Sequence, residues 1–346
     1  MAEPFAETLL RWYETEGRQL PWRQTRDPYA IWVSEIILQQ TRVAQGMDYY
    51  LRFMKRFPTV ELLAAADEDE VLRLWQGLGY YSRARNMRRA AQQIVAMGGF
   101  PRDYQQIRSL CGIGDYTASA IASFAFDAPL AVVDGNVYRV LSRYFAIETP
   151  IDTTAGQREY KTLAQKLLPL SHPATYNQAI MDFGALQCTP QNPVCETCPL
   201  NTSCLALAQR KVSQLPRKAH STKVRHRYFT YLFLFSPRRR VLLQRRPAGD
   251  IWQGLYQLPL IETETALSED EVRRSVPALE CRPVVSGLVH QLTHQRLHAD
   301  CYLLRVASED DVTIEGKWVE LSSLDHYAMP RLLTTIMERA VTLCLP

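Results

Sequence analysis

Four cysteines fall within the segment CTPQNPVCETCPLNTSC, residues 188–204, separated by six, two and five residues. Thiols stay reduced inside cells, so such a group indicates metal binding rather than disulfides. The expected ligands are Cys188, Cys195, Cys198 and Cys204. Because the protein supplies all four ligands, no coordination position stays open for a substrate. The spacing therefore favours a structural or DNA-positioning role for the metal over catalysis at it.

The kind of metal centre is narrowed by how the thiols are spaced. Zinc sites usually pair their ligands as two short C-x2-C hooks, whereas this loop contains one, between Cys195 and Cys198. Four thiolates on one short loop suit a [4Fe–4S] cluster, in which each iron takes one thiolate. A structural zinc knot is the alternative that the spacing leaves open.

The periodicity of apolar residues changes along the chain. Its 346 residues, 47% of them apolar, are enough for two globular domains. Helical spacing over residues 1–210 predicts an all-α domain, and β-rich runs over residues 228–346 predict an α+β domain. Between them, residues 211–227 carry six Lys or Arg and no acid. This segment is interpreted as a basic linker, which is compatible both with a solvated connection and with a strap that contacts phosphates.

The N-terminal segment has an amphipathic helical pattern with no basic or apolar signal region. No run of 18 apolar residues occurs in the chain. We expect a soluble cytoplasmic protein that does not bind membranes.

A glycine-rich turn lies in LCGIGDYTASAI, residues 110–121, between two helical patterns. Gly112 and Gly114 predict a tight turn, and the following helix offers free backbone N–H groups to an anion. Residues 105–125 thus fit a helix-hairpin-helix that grips a DNA phosphate. An ordinary corner between two helices is the alternative.

Two carboxyl groups are candidates for acid–base chemistry. Glu35 lies on a helix among apolar residues, where desolvation disfavours its charged form. Asp134 precedes a strongly periodic helix, so capping that helix would explain it without any catalytic role. One protonated acid and one ionised carboxylate form the pair that cleaves glycosidic bonds through an oxocarbenium-like transition state.

The order of motifs EIILQQT, GLGYYSRARN, LCGIGDYTA and VVDGNVYRVLSR, followed by the cysteine loop, resembles the endonuclease III superfamily of DNA repair glycosylases. Within that superfamily the chain is most similar to the MutY-type adenine DNA glycosylases. The resemblance implies a helix-hairpin-helix glycosylase domain with a [4Fe–4S] loop, followed by a Nudix-like domain. It also implies removal of adenine mispaired with 8-oxoguanine or guanine in double-stranded DNA, by a monomer associated with the nucleoid.

The resemblance assigns roles in catalysis. Glu35 would protonate the adenine leaving group, and Asp134 would stabilise the developing sugar cation or bond to it transiently. Tyr116 and Asn136 would support that carboxylate and the intermediate. Since Tyr116 stands where bifunctional relatives carry a Schiff-base lysine, the enzyme should hydrolyse the glycosidic bond and leave the strand intact.

The resemblance also implies DNA-contacting residues. The family positions that enter the DNA helix around the lesion or stack near 8-oxoguanine correspond to Gln40, Thr41, Leu78 and Tyr80. The positions of the base pocket correspond to Trp22, Arg23 and Gln178. The loop that reads 8-oxoguanine corresponds to Thr293 and His294. Without the resemblance, ordinary helix-end contacts would be the preferred explanation of Leu78 and Tyr80. A solvent-facing role would equally explain His294.

The chain departs from the family pattern at three positions. Cys111 replaces a proline, and Asp115 places an acid beside the phosphate-binding turn, where it should weaken phosphate attraction unless it points away. Leu292 replaces an aromatic residue of the lesion-reading loop. The second domain lacks the Glu-rich box of a Nudix hydrolase, so we expect no nucleotide hydrolysis. A bifunctional lyase and an iron–sulfur redox or regulatory DNA-binding protein are the competing hypotheses.

Overall fold

The computed structural model describes residues 2–220, 224–276 and 278–344. The chain forms two compact units. One contains Met1–Ala64 and Arg89–Ser221, and the other contains Ala65–Arg88 and Thr222–Pro346. No helix among the described residues is both long and apolar enough to cross a lipid bilayer.

The regular secondary structure within residues 2–208 consists of helices. They are α1 (Ala2–Glu16), α2 (Pro28–Ile37), α3 (Val43–Arg56), α4 (Val60–Ala65), α5 (Glu68–Leu74), α6 (Ser82–Ala96), α7 (Tyr104–Ser109), α8 (Asp115–Phe126), α9 (Gly135–Tyr144), α10 (Thr154–Leu167), α11 (Pro173–Leu186) and α12 (Leu205–Ala208). This confirms the all-α prediction for the N-terminal part of the chain. The paired helices α7 and α8 and the turn between them coincide with the predicted helix-hairpin-helix.

Local sequence signals set where the key helices begin. Asp27 caps α2 by accepting a hydrogen bond from the N–H of Tyr29, and Pro28 occupies the first turn. Asp134 caps α9 through the N–H of Val137. Both caps place polar side chains at fixed positions beside the helices that follow them.

One core cluster of the first unit joins α1, α9, α10 and α11. Phe5, Leu141, Tyr160 and Phe183 are among its fully or almost fully buried members. Burying an aromatic side chain of this size contributes about 1.5–3 kcal/mol, so these helices are held as one body. Asp134 and Gln178 are carried on or beside the same packed helices.

The second unit contains a mixed sheet. Its strands are β1 (Arg225–Phe235), β2 (Arg240–Arg245), β3 (Tyr256–Gln257), β4 (Leu260–Thr263), β5 (Glu280–Gln291), β6 (Gln295–Arg305) and β7 (Lys317–Glu320), and they are joined by α13 (Glu269–Ser275) and α14 (Arg331–Thr342). The strand order is β3-β2-β1-β6-β5, with β4 paired to β1 and β7 paired to β2. Strands β1 and β6 are parallel. The α+β prediction is confirmed.

Both faces of strand β1 are buried. Phe229, Tyr231 and Phe233 point into one core, which α14 covers, while Leu232 and Leu234 point into a second core. Because side chains alternate along a strand, one apolar run fills two layers. The sheet is therefore enclosed between helices, with the loop Leu292–His294 at the end of β5.

The segment predicted as a basic linker is partly structured. Strand β1 begins at Arg225, and Arg227 is buried with ion pairs to Asp250 and Glu262. In the first unit, Lys211 and Arg217 both pair with Glu148. These three cations are engaged by carboxylates within their own units.

Candidate active site

A cavity in the first unit is lined by all four residues expected to act in catalysis, Glu35, Tyr116, Asp134 and Asn136. It is also lined by four of the residues expected to contact the DNA: Trp22, Arg23, Thr41 and Gln178. These positions are spread over 157 residues of sequence, from 22 to 178, yet the packing of the helices brings them together around one cavity. Apolar groups such as Ile31 and Phe124 complete the wall, so polar and apolar side chains line the cavity together.

Glu35 lies on α2 with only 9% of its surface exposed. Burial raises the pKa of Glu35 to about 7; a hydrogen bond from the hydroxyl of Tyr116, 2.8 Å from Oε2, works against this shift. Nearby Asp134 raises the pKa further, and Arg23 lowers it. Glu35 therefore can hold a proton near neutral pH, as the sequence predicts for a general acid.

Asp134 has a different environment. Burial raises its pKa, and hydrogen bonds from the N–H of Val137 at 2.8 Å and the amide of Asn136 at 2.7 Å oppose that shift. Each carboxylate oxygen accepts a hydrogen bond, which favours the ionised form. The capping role and a charged role coexist in this geometry, because the cap uses Oδ1 and the amide of Asn136 holds Oδ2.

Arg139 supports Asn136 from behind. Its guanidinium donates to the amide oxygen of Asn136 at 2.8 Å and to the backbone carbonyl of Cys188 at 2.7 Å. The amide orientation of Asn136 follows from this contact, because an arginine can only donate. The amide N–H group of Asn136 is thereby directed to Asp134.

Arg23 is fixed by a buried carboxylate. Asp182 on α11 is fully buried and accepts hydrogen bonds from the guanidinium groups of Arg18 and Arg23. Burial opposes the charge on Asp182, but these bonds outweigh it and lower the pKa of Asp182. The positive charge of Arg23 is thereby held at the cavity wall.

The helix-hairpin-helix turn has the expected geometry. Gly112 has a φ of 75°, a conformation that favours glycine, and Gly114 is the N-cap of α8. Asp115 accepts a hydrogen bond at 2.6 Å from Arg108, which also donates to the carbonyl of Ile113 at 2.9 Å. The negative charge of Asp115 is thus paired with Arg108, and Arg108 also stabilises the turn.

Two positions expected to enter DNA have a left-handed backbone. Gln40 has a φ of 57° and Tyr80 a φ of 47°. For a tyrosine this conformation costs on the order of 1 kcal/mol, and such strain is typical of functional sites. Leu78 is buried in the Gly77–Gly79 turn, whereas the Tyr80 ring is exposed.

The lesion-loop positions lie in the second unit, outside the catalytic cavity. The side chains of Thr293 and His294 are exposed, and the hydroxyl of Thr293 is hydrogen-bonded to that of Tyr80. Leu292 instead packs against the core of the sheet. The polar groups of the loop face solvent while its apolar member anchors it.

The four clustered thiols line one cavity, together with Arg143 and apolar side chains. Among the described residues, no three Cys, His, Asp or Glu side chains converge closely enough to hold a single metal ion. Burial raises the pKa of Cys198 to about 11, so cation binding must displace its proton. Arg143 donates to Sγ of Cys188 at 3.4 Å and to the carbonyl of Thr189 at 2.7 Å, which holds the loop in place.

The scattered cysteines behave as small buried residues, with one exception. Cys281, Cys301 and Cys344 are buried, whereas Cys111 at the hairpin is partly exposed. Its backbone N–H donates to the side chain of Gln93 at 2.8 Å.

Three family models match the chain. Residues 33–168 match the HhH-GPD superfamily base excision DNA repair proteins, residues 188–204 match the iron-sulfur binding domain of endonuclease III, and residues 230–339 match the NUDIX domain. The first match contains Glu35, Tyr116 and Asp134. The second coincides with the cysteine loop.

Proteins named adenine DNA glycosylase are similar over most of their length. The one from Buchnera aphidicola subsp. Baizongia pistaciae is 32% identical, covering 97% of this chain and 96% of that protein. The Rattus norvegicus protein is 35% identical, covering 91% of this chain and 73% of that protein. The chain belongs to the adenine DNA glycosylase family. The Homo sapiens member is 34% identical, covering 89% of this chain and 68% of that protein.

Solved structures agree with the helical fold of this glycosylase. A thermostable thymine-DNA glycosylase is 30% identical with a TM-score of 0.56, covering 60% of this chain and 97% of that one. An endonuclease III in a non-covalent DNA complex has a TM-score of 0.53 at 22% identity, covering 61% of this chain and 98% of that one, which supports the fold.

The four thiols of the glycosylase fit an iron–sulfur cluster. They are soft donors lining one cavity, and the guanidinium of Arg143 beside them offsets negative charge. Cys188, Cys195, Cys198 and Cys204 would hold the group, and with all four positions filled by protein it would brace the loop rather than bind substrate.

Sequence reasoning missed several residues of this site. Arg139, Arg18 and Asp182 were not identified. Arg139 and Arg18 line the cavity themselves, and Asp182 holds Arg23 at its wall. For Arg139 a signal existed, because it lies one helical turn after Asn136. For Arg18 and Asp182 none did, since they are 164 residues apart.

Proposed function

We propose that this glycosylase removes adenine mispaired with 8-oxoguanine or guanine in double-stranded DNA, by hydrolysis of the N-glycosidic bond. The observation that carries the proposal is the pairing of Glu35, with a pKa of about 7, and Asp134, held by N–H donors, in one cavity. An adenine flipped out of the helix would enter this cavity with its sugar next to Asp134.

The carboxylic acid of Glu35 donates its proton to a ring nitrogen of adenine as the glycosidic bond breaks. The base leaves neutral, and positive charge develops on the sugar. The carboxylate of Asp134 stabilises this cation by attraction, or bonds to it transiently, before water adds. The hydroxyl of Tyr116 positions Glu35, and the amide of Asn136 positions Asp134.

The proposed reaction is monofunctional. A lyase needs an amine that attacks the sugar and forms a Schiff base. Tyr116 occupies the hairpin position of that amine, and its hydroxyl is engaged with Glu35. Burial raises the pKa of Tyr116 well above its ordinary value, so it keeps its proton and is a poor nucleophile.

The DNA contacts extend beyond the cavity. Gly112 and Gly114 hold a phosphate at the N-terminus of α8, and Gln40, Thr41, Leu78 and Tyr80 fill the space left by the flipped base. Trp22, Arg23 and Gln178 contact the base. Since one chain supplies every catalytic group, we propose that the enzyme acts as a monomer.

A single-turnover assay tests this function. The protein in excess is incubated with a duplex that carries adenine opposite 8-oxoguanine, and free adenine is quantified. We expect adenine release, strand breaks only after hot alkali, and no protein–DNA adduct after borohydride treatment. Absence of adenine release would refute the proposed reaction, and a borohydride-trapped adduct would establish a lyase instead.

We propose that the cysteine loop holds one [4Fe–4S] cluster. The purified protein should be yellow-brown, with broad visible absorption and about four irons and four sulfides per chain, because thiolate-bound iron–sulfur clusters give intense charge-transfer bands. Metal and sulfide analysis with a visible spectrum checks this. A colourless active protein with one zinc per chain would contradict it.

The loop Thr293–His294 is proposed to read 8-oxoguanine, which differs from guanine in a C8 carbonyl and an N7–H. His294→Ala should lower affinity for duplex with A opposite 8-oxoguanine about tenfold or more relative to A opposite guanine. The backbone carbonyl of His294 accepts the N–H of Arg225 at 3.0 Å, so alanine retains the turn. Competitive binding of the two duplexes measures the ratio.

His298→Ala is the matched control. His298 lies 2.9 Å from His226, nitrogen to nitrogen, and stacks on the ring of Tyr228. These contacts direct it at neighbouring strands, so its removal should leave the ratio unchanged. Equal losses on both duplexes for His294→Ala would mean that this residue only supports the fold or the general grip on DNA.

A further inference from the structure

Tyr13 on α1 lies just behind the wall of the catalytic cavity. Its hydroxyl is 3.1 Å from the amide oxygen of Gln178, which does line the cavity. Nη1 of Arg23 lies 3.4 Å from the same hydroxyl oxygen, and the guanidinium sits 5.8 Å from the centre of the tyrosine ring. Tyr13 therefore connects two cavity residues without lining the cavity itself.

The chemistry of the donors and acceptors fixes the direction of the hydrogen bonds that link Asp182 to Gln178 through Arg23 and Tyr13. Asp182, fully buried and ionised, only accepts, and Arg23 only donates. The oxygen of Tyr13 thus accepts from Arg23, and its one proton goes to Gln178. The group of Gln178 that faces Tyr13 must be the amide oxygen. Its N–H₂ group is then directed away from Tyr13.

An adenine base offers a matching pattern. On either polar edge its exocyclic N–H₂ donor lies beside a ring-nitrogen acceptor, N1 or N7. A carboxamide can donate to the ring nitrogen and accept from the exocyclic amine with its second lone pair. Hypoxanthine has an oxygen acceptor in place of the exocyclic amine. A carboxamide must therefore turn over, so that its N–H₂ group donates to that oxygen.

We propose that Tyr13 is a positioning residue that fixes the amide of Gln178 in the orientation complementary to adenine, and so sets the base specificity of the glycosylase. This inference rests on the proposed removal of adenine. The ion pair of Arg23 with Asp182 supports Tyr13. Because Arg23 donates to the hydroxyl oxygen of Tyr13, the hydroxyl proton is directed to the amide oxygen of Gln178.

Comparing adenine with hypoxanthine as the excised base tests the role of Tyr13. Single-turnover release rates are measured for wild type and Tyr13→Phe on duplexes that carry either base opposite guanine. Without the hydroxyl the Gln178 amide turns freely, so adenine release should fall about tenfold while hypoxanthine release is unchanged or rises. A purely structural defect would lower both rates by the same factor.

Two further variants separate the orienting role from packing. Tyr176→Phe also removes a buried tyrosine hydroxyl from the first unit, one without a hydrogen-bond partner among the described residues, and should not change the ratio. In a Gln178→Ala background, Tyr13→Phe should no longer alter the ratio, because its effect passes through the amide.

Each outcome separates this inference from the proposed function. If wild type releases no adenine, the proposed function fails. If wild type is active and Tyr13→Phe keeps the wild-type ratio, the function stands and the orienting role of Tyr13 is overturned. If Tyr13→Phe melts below the assay temperature, the two release rates are compared at a lower temperature at which it stays folded: a selective loss of adenine release supports the inference, and equal losses refute it.

Discussion

Replacing Glu35 with glutamine should lower the single-turnover rate of adenine release by about 10²- to 10⁴-fold, the usual contribution of a general acid. Glutamine has nearly the same volume and can still accept the hydrogen bond from Tyr116, so the cavity should keep its shape. The substitution removes the carboxyl proton that Glu35 would donate to adenine. Binding to the mismatched duplex should stay close to that of wild type.

The pH profile gives an independent check on Glu35. Its pKa of about 7 lies above the usual carboxyl range, so the protonated, active form predominates below pH 7 and is lost above it. The wild-type rate should fall about tenfold between pH 6 and pH 8. The residual rate of Glu35→Gln should show no such fall, because the titrating group is gone.

Glu61→Gln is a matched control for this substitution. Glu61 is an exposed residue of α4, and the same chemical change there should leave excision unaffected. If Glu35→Gln retained substantial turnover, the residue would be a buried carboxyl with no part in proton transfer.

Replacing Asp134 with asparagine should lower adenine release by at least about 10³-fold, because the cation on the sugar loses its counter-charge. Asparagine caps helices as well as aspartate does, so α9 should persist. The one new conflict is between two amide N–H₂ groups, since Asn136 donates to Oδ2 of the native carboxylate. We expect a modest loss of melting temperature beside the large loss of rate.

Asp103→Asn separates capping from catalysis. Asp103 caps α7 through the N–H groups of Gln105 and Gln106 and lies outside the cavity. It should lose neither rate nor binding. If folded Asp134→Asn excised adenine at a rate within tenfold of wild type, Asp134 would be a helix cap and the catalytic assignment would be wrong.

The two carboxyl groups illustrate how far sequence reasoning reaches. The apolar neighbours of Glu35 along its own helix predicted desolvation, and burial is the main cause of its raised pKa. For Asp134 the pattern predicted a cap, which is present. Burial also raises the pKa of Asp134, a shift that the local sequence did not indicate, because the groups that bury it come from distant helices.

Asp115 was predicted to weaken phosphate attraction unless it pointed away. The structure pairs it with Arg108, seven residues earlier, across the turn. That pairing depends on how α7 folds back on α8, which a linear pattern does not specify. Leu292 is similar, since only the packed sheet shows that it anchors the loop.

The sequence by itself determined the elements whose signals are local: the helical and strand periodicities, the hairpin glycines, the cysteine spacing and the cap at Asp134. The tertiary structure alone decided which distant groups meet. Tyr13, Arg23, Gln178 and Asp182 form one directed hydrogen-bond chain, in which Tyr13 and Gln178 are 165 residues apart and Arg23 and Asp182 are 159 residues apart. Helix packing brings these polar groups together. Because they are then shielded from water, they form hydrogen bonds with one another. Separation along the chain carries no signal of such a meeting, whereas a periodic face or a cap is set by neighbours a few residues apart.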